Sequence, residues 1–191
     1  MTIGLFGGSF DPIHHGHLIV AQAVVEALGL DQLRFVPARE QPFKAGQHLA
    51  PPELRARMVA LAIAGEPRFA LERAELDRPG PSYTVDTLRE LREREPGSRF
   101  ALLVGADAAR ELPEWREASA LPSLADLVVF ARAGSDVPPL PWPVRVVAVP
   151  AVGISATEVR RRVAQGRPIR YWVPDPVAEA IRAAGLYLSD A

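Results

Sequence analysis

Short apolar runs alternate along the chain with longer stretches in which apolar residues recur at helical spacing. The short runs predict strands at residues 2–6, 33–37, 69–72, 100–104, 127–131 and 144–149. The longer stretches predict helices at residues 17–28, 52–64, 85–95, 107–112, 157–165 and 176–184. Such alternation is typical of the α/β class with a doubly wound, mostly parallel sheet and helices on both faces. Ligands of such sheets bind beyond the carboxyl ends of the strands, where the strand order reverses.

Length and composition predict one domain and exclude several classes of protein. The 191 residues contain no internal repeat, so we expect a single domain over residues 1–191, with a helical C-terminal part from about residue 155. The absence of Cys excludes a disulfide scaffold, a zinc finger, an iron–sulfur site and a thiol nucleophile. A net charge of −1 without a basic stripe argues against a nucleic-acid partner.

The chain also lacks the sequence features of a membrane or exported protein. No apolar run approaches the roughly 20 residues that cross a bilayer. The N-terminus has no basic region of the kind that begins a signal peptide, and it reads directly as a strand. We therefore expect a cytoplasmic protein without a membrane partner.

The segment after the first predicted strand, residues 7–17, reads GGSFDPIHHGH. Glycines let backbone N–H groups approach an anion, and a helix N-terminus carries about half a positive charge. His14 and His17 can both face an anion where the strand ends and the helix begins. The alternatives are a glycine turn whose histidines only cap the helix, and a metal site of His14, His15 and His17 without the i, i+4 spacing of helical zinc sites. No P-loop lysine follows the glycines, and the third glycine of a dinucleotide-binding fingerprint is missing.

A second motif, residues 153–162, reads GISATEVRRR before a predicted helix. Ser155 and Glu158 match a capping box, which is a sufficient reason for both residues. Thr157 and Arg160 are left unexplained by the cap, and their spacing can direct two more donors at the same helix end. A helix N-terminus with hydroxyl groups and a first-turn arginine suits the outer phosphates of a nucleoside triphosphate.

The two motifs together resemble the signatures of the nucleotidylyltransferase superfamily. Residues 82–88, SYTVDTL, and Gly105-Ala106-Asp107 followed by Leu112-Pro113-Glu114-Trp115 narrow the match. From residue 3 to about residue 188 the chain resembles the bacterial nicotinate mononucleotide adenylyltransferases. It departs from their pattern at Ala156, where a second Ser is usual, and at Ala133, where Pro is usual.

This resemblance implies a Rossmann-like fold and adenylyl transfer in NAD biosynthesis. A phosphate oxygen of nicotinate mononucleotide would attack the α-phosphorus of ATP in line, giving nicotinate adenine dinucleotide and pyrophosphate. It implies that His14, His17 and Arg160 are catalytic. The full set implied to bind ATP is Gly8, Ser9, Phe10, His14, His17, Gly105, Asp107, Ile154, Ser155, Thr157 and Arg160.

The resemblance also implies a site for the second substrate. Trp115 would stack on the nicotinate ring, and backbone N–H groups of Thr84 and Arg116 would bind its carboxylate. Thr84 and Asp86 can equally serve as a helix cap and a first-turn acid. The set implied for the mononucleotide is Ser9, Lys44, Tyr83, Thr84, Asp86, Trp115, Arg116 and Arg132. Mg²⁺ would accompany ATP without a protein metal cage, and a homo-oligomer is compatible with the sequence although no heptad supports it.

Three alternatives remain open from the sequence. A phosphopantetheine adenylyltransferase shares both signatures, although that family tends to have Thr in place of His14 and lacks the SYTVDT segment. An enzyme of the same chemistry could prefer nicotinamide mononucleotide, because the donors that discriminate carboxylate from amide can be backbone groups. A nucleotide sensor of the same fold would have lost turnover, which the intact His14, His17, Thr157 and Arg160 argue against.

Overall fold

The computed structural model describes residues 1–41 and 50–188, and within them six strands form one sheet. The strands are β1 (Thr2–Gly8), β2 (Gln32–Pro37), β3 (Phe69–Leu71), β4 (Arg99–Gly105), β5 (Asp126–Arg132) and β6 (Arg145–Val149). Their order is β3-β2-β1-β4-β5-β6, and every pair of neighbours is parallel. The prediction of a mostly parallel α/β sheet is thus confirmed, and the described sheet is parallel throughout.

Helices cover both faces of this sheet. They are α1 (His15–Leu28), α2 (Pro52–Ile63), α3 (Ala74–Asp77), α4 (Thr84–Arg94), α5 (Ala106–Ala109), α6 (Leu121–Leu124), α7 (Ala156–Ala164) and α8 (Asp175–Ala183), with 3-10 turns at Leu112–Glu114 and Ala118–Ala120. Side chains of α1, α2, α7 and α8 share one core cluster, and those of α4, α5 and α6 share the other. The doubly wound, Rossmann-like arrangement follows from these two separate cores.

Strand β1 shows how the sequence forms the centre of the sheet. Ile3 and Leu5 lie in one core cluster and Phe6 lies in the other, so both faces of the strand are buried. A near-continuous apolar run is the expected pattern for a strand covered on both sides. Gly4 leaves space for a neighbour, because a Cβ there would lie 2.6 Å from the side chain of Leu30.

The strand order reverses between β1 and β4. Phe6 of β1 pairs with Leu103 of β4, so the loops that follow the two strands open beside each other. A crevice at this point is where sheets of this kind bind ligands. Among the described residues, no helix has both the length and the apolar character that a membrane crossing requires.

Candidate active site

An open cleft of about 1340 Å³ lies at the predicted place, beyond the carboxyl ends of the central strands. Every residue predicted to bind ATP lines it. For convenience, we call His14, His17, Ser155, Thr157 and Arg160 the histidine group. Tyr83, Thr84, Trp115 and Arg116 also line the cleft, and we call them the tryptophan group.

The remaining predicted mononucleotide residues are distributed differently. Ser9 and Arg132 line the cleft, the latter at the carboxyl end of β5. Asp86 does not lie among the lining residues, because it is placed on helix α4 behind Thr84 with its carboxylate toward Arg116. Lys44 lies outside the described residues.

The two predicted catalytic histidines stack at the N-terminus of α1. Their ring centroids are 3.7 Å apart and their planes differ by 21°. The backbone N–H of His14 donates to Nδ1 of His17 over 3.2 Å. His14 is the N-cap residue of α1, and His17 lies in its first turn. The helix begins at His15, two residues before the predicted start, because the His14 carbonyl accepts the backbone N–H of Leu18 over 3.4 Å, a contact that apolar periodicity cannot reveal.

Both imidazoles are neutral at pH 7 in the free protein. Burial, followed by the charge of His15, lowers the pKa of His14 to about 4. Burial, followed by the charge of His14, lowers the pKa of His17 well below its usual value. Because Nδ1 of His17 accepts a backbone N–H, its neutral ring carries the proton on Nε2 and can donate from that nitrogen.

Aromatic packing and a glycine fix the histidine pair in place. The ring of Phe10 meets the ring of His17 edge-on at 5.1 Å, and Phe6 does so at 6.1 Å. Phe10 is buried and has a φ of +48°, in the left-handed region that most side chains avoid. A Cβ at Gly16 would lie 3.0 Å from Nδ1 of His14 and 3.4 Å from the carbonyl oxygen of Ile154. Glycine therefore allows α1 to approach both His14 and the second motif closely.

The second motif both caps α7 and contributes to the cleft. The Ser155 hydroxyl accepts the backbone N–H of Glu158 over 3.2 Å, which confirms the cap. Arg160 donates from one nitrogen to the carbonyl of Asp11 over 2.8 Å and from another to the Thr157 hydroxyl over 3.4 Å. Arg160 thus ties the two motifs together across 149 residues of sequence.

The tryptophan group is held by an ion pair and a ring contact. The guanidinium of Arg116 lies 4.6 Å from the centre of the Tyr83 ring, and one of its nitrogens is 3.5 Å from the carboxylate of Asp86. Trp115 is partly buried and packs against the core cluster that α4, α5 and α6 share. Asp86 therefore contacts a residue of the cleft wall without lining the cleft itself.

Sequence reasoning misses a buried network beneath the first motif. The sequence alone indicates Asp11 only as a turn residue before Pro12. Its carboxylate is buried, where it accepts the Tyr187 hydroxyl over 2.6 Å and the backbone N–H of Ala50 over 3.3 Å. Tyr187 lies 176 residues away, so no local pattern could have indicated this contact.

Arg55 of α2 is a second residue that the motifs do not reveal. It is fully buried and donates to the carbonyls of Ser9, Arg39 and Ala50 over 2.7, 3.1 and 3.1 Å. Since Ser9 lines the cleft, this guanidinium connects the first motif to the residues on either side of the segment 42–49. The only signal in the sequence is a charged residue next to apolar ones in α2.

Acidic and imidazole side chains are not clustered for metal binding in the described part of the chain. Over residues 1–41 and 50–188, no three His, Cys, Asp or Glu side chains are grouped so that they could hold a metal ion. The acids that line the cleft include Asp107, Glu111 and Asp136.

Comparisons with known proteins agree with this geometry. The sequence profile of the cytidylyltransferase-like family matches residues 5–162, so the fold and site define a nucleotidyltransferase. A Thermus thermophilus protein named "probable nicotinate-nucleotide adenylyltransferase" is 52% identical over 98% of this chain and 100% of its own length. A Roseiflexus protein of the same name is 47% identical over 97% of each chain. The chain belongs to the nicotinate-nucleotide adenylyltransferase family.

A solved structure shares the fold at low sequence identity. The nicotinic acid mononucleotide adenylyltransferase of Plasmodium falciparum, complexed with NaAD, superposes with a TM-score of 0.80 at 20% identity. The match covers 99% of this chain and 98% of that one. The whole described architecture is therefore that of the known fold.

Proposed function

We propose that this enzyme joins ATP and nicotinate mononucleotide in NAD biosynthesis by direct in-line transfer. A phosphate oxygen of the mononucleotide forms a bond to the α-phosphorus of ATP. The bond from that phosphorus to the bridging oxygen breaks, and pyrophosphate leaves with the bonding electrons. The attacking phosphate is already an anion at pH 7, so catalysis can consist of positioning and charge stabilisation.

The observation that carries this proposal is the stacked histidine pair beside the N-terminus of α7. His17 donates from Nε2, since its Nδ1 is occupied by the backbone N–H of His14. A neutral donor of fixed orientation at the α-phosphate stabilises the charge of the transferring group without reorganising. Nδ1 of His14 is buried without a hydrogen-bond partner among the described residues, and we assign the phosphate contact of this ring to Nε2.

The rest of the histidine group and the adjoining loops complete the ATP half. Ser155 and Thr157 lie at the N-terminus of α7, where the helix dipole favours an anion. Arg160 adds a positive charge for the β- and γ-phosphates, already oriented by the carbonyl of Asp11. The remaining ATP contacts come from Gly8, Ser9, Phe10, Gly105, Asp107 and Ile154.

The tryptophan group would hold the mononucleotide. Trp115 stacks on the nicotinate ring, Tyr83 packs beside it, and the backbone N–H groups of Thr84 and Arg116 bind the ring carboxylate. Ser9 and Arg132 line the cleft and would bind the phosphate. Lys44 remains a candidate for the same phosphate, and Asp86 contributes by orienting Arg116.

Mg²⁺ would arrive with the triphosphate. Phosphate oxygens and water would hold the ion, since the described residues contain no group of His, Asp or Glu side chains suited to a metal. When bound, the ion adds positive charge to the leaving pyrophosphate.

The proposal is tested by measuring pyrophosphate release in mixtures of enzyme, ATP and Mg²⁺, to which three acceptors are added separately. These are nicotinate mononucleotide, nicotinamide mononucleotide and phosphopantetheine. We expect strong preference for nicotinate mononucleotide. Equal use of both mononucleotides would remove the specificity assigned to Thr84 and Arg116. Release with phosphopantetheine alone would overturn the second-substrate site, and no release beside measurable ATP binding would favour a sensor.

A further inference from the structure

Glu75 is a buried carboxyl in the wall of the cleft that the mechanism above does not use. It lies in the short helix α3, is 8% exposed and lines the cleft. A charged group is costly to bury unless hydrogen bonds or an opposite charge compensate it. The position of Glu75 therefore requires an explanation in terms of its partners.

Two hydroxyl groups from the segment that begins α4 satisfy this carboxyl. The Thr87 hydroxyl donates to it over 3.0 Å, and the Ser82 hydroxyl also bonds to it. Thr87 in turn accepts from a guanidinium nitrogen of Arg78 over 2.7 Å. Burial raises the pKa of Glu75, while the two hydroxyl groups and the charge of Arg78 oppose that shift.

Ser82 connects Glu75 to a second loop at the cleft. Its hydroxyl accepts the backbone N–H of Arg39 over 3.0 Å, and its own N–H donates to the carbonyl of Glu40 over 2.8 Å. Ser82 is followed directly by Tyr83 and Thr84, whose backbone and ring belong to the tryptophan group. Glu75 thus holds Ser82, which directly precedes Tyr83 and Thr84 in the cleft wall. Through Thr87, Glu75 also holds the first turn of α4.

We infer that Glu75 is a positioning residue for the mononucleotide, holding Ser82 and Thr87 so that the backbone N–H of Thr84 is aimed at the ring carboxylate. The inference rests on the proposed function, since it assumes that nicotinate mononucleotide occupies the tryptophan group. It assigns to Glu75 an effect on the binding of one substrate only, because the contacts of Glu75 do not include the histidine group.

Glu72 provides a matched control three residues earlier. It is equally buried, at 6% exposed, and its carboxylate pairs with Arg34 over 3.3 Å and Arg94 over 3.2 Å. Glu72 does not line the cleft. Replacing either carboxyl with an amide removes hydrogen bonds from a buried side chain, so Glu72→Gln and Glu75→Gln should both lower Tm. Only Glu75→Gln should weaken the binding of nicotinate mononucleotide.

The test is steady-state kinetics of the full chain carrying Glu75→Gln or Glu72→Gln, with Tm recorded for both. In Glu75→Gln the new amide has one oxygen to accept from two hydroxyl groups, so we expect the KM for nicotinate mononucleotide to rise about tenfold. The KM for ATP should stay within about twofold, because the substitution weakens the binding of nicotinate mononucleotide and not that of ATP. Glu72→Gln should leave both KM values unchanged while lowering Tm.

Ser82→Ala breaks the same connection from the other side and serves if Glu75→Gln does not fold. It should raise the KM for nicotinate mononucleotide by a similar factor, and the double variant should be no worse than the more affected single one. A folded Glu75→Gln with an unchanged KM for the mononucleotide would overturn the inference. Equal rises of both KM values, or the same rise in Glu72→Gln, would overturn it too. Wild-type enzyme that ignores nicotinate mononucleotide would instead overturn the proposed function, and the inference with it.

Discussion

His14 and His17 of the histidine group lie at the N-terminus of α1, where buried rings pack against His17, whereas the side chains of the tryptophan group are half-buried or exposed. Phe10, beside His17, is 2% exposed, and His14 is 5% exposed. Arg116, by contrast, has a side chain that is 51% exposed and is held by Asp86 at 3.5 Å. Under the proposed function, the ATP phosphates would meet a histidine pair that packing already holds in place, while the acceptor would meet a group with more exposed side chains.

The largest expected effect concerns His17. Replacing His17 with Ala removes the donor that we propose for the α-phosphate, and loss of such a donor typically costs on the order of 3 kcal/mol and about 10²-fold in rate. We expect at least this loss in kcat at saturating substrates, with a cooperative thermal transition retained. His15→Ala is the control, because His15 does not line the cleft. Near-normal turnover of His17→Ala would refute the role assigned to it.

The burial of His14 should appear in the pH dependence of stability. Its pKa is about 4 in the folded protein, below the ordinary value, so the unfolded chain takes up the proton first as the pH falls. The contribution of His14 to the free energy of unfolding is therefore greatest above about pH 6.5. It decreases by about 3 kcal/mol as the pH falls to about 4, and it stays constant at lower pH. His14→Asn cannot titrate and should show a shallower slope in urea unfolding across this range. An identical slope in both proteins would show that His14 is not buried in its neutral form.

A smaller effect is expected at Trp115, where loss of stacking affects the acceptor alone. Stacking of an aromatic side chain on a base contributes about 1–3 kcal/mol, so Trp115→Leu should raise the KM for nicotinate mononucleotide about tenfold or more. The KM for ATP should change little. Trp142→Leu is a matched control, because Trp142 packs on the same core cluster without lining the cleft. A parallel rise in both KM values would mean that Trp115 supports the whole cleft.

The smallest effect is expected at Asp86. Its pair with Arg116 is partly exposed, and such pairs contribute about 0–1 kcal/mol. Asp86→Asn should therefore raise the KM for the mononucleotide by about fivefold at most. A much larger rise in titrations of the mononucleotide would indicate that Asp86 contacts the substrate itself.

The contrast between the two groups also explains how far the sequence could predict this molecule. Strand positions and the residues of both motifs were predictable, because apolar periodicity and helix N-termini are local in sequence. The short helices α3 and α6 were not, since four residues carry no periodicity. Tyr187 and Arg55 escaped prediction because each acts through a contact made only in the folded chain. Asp86 was predicted in the site from its motif, and only the fold shows that it contacts Arg116 and does not itself line the cleft.

The proposed reaction is a single in-line displacement, without an enzyme-bound adenylyl group. The most direct measurement is the stereochemical course at the α-phosphorus, using ATP with one α-oxygen replaced by sulfur in a single configuration. One displacement by nicotinate mononucleotide predicts inversion of configuration in the dinucleotide product. Retention would require two displacements, with a group on the enzyme such as His17 acting as a nucleophile. That result would contradict the proposed single displacement.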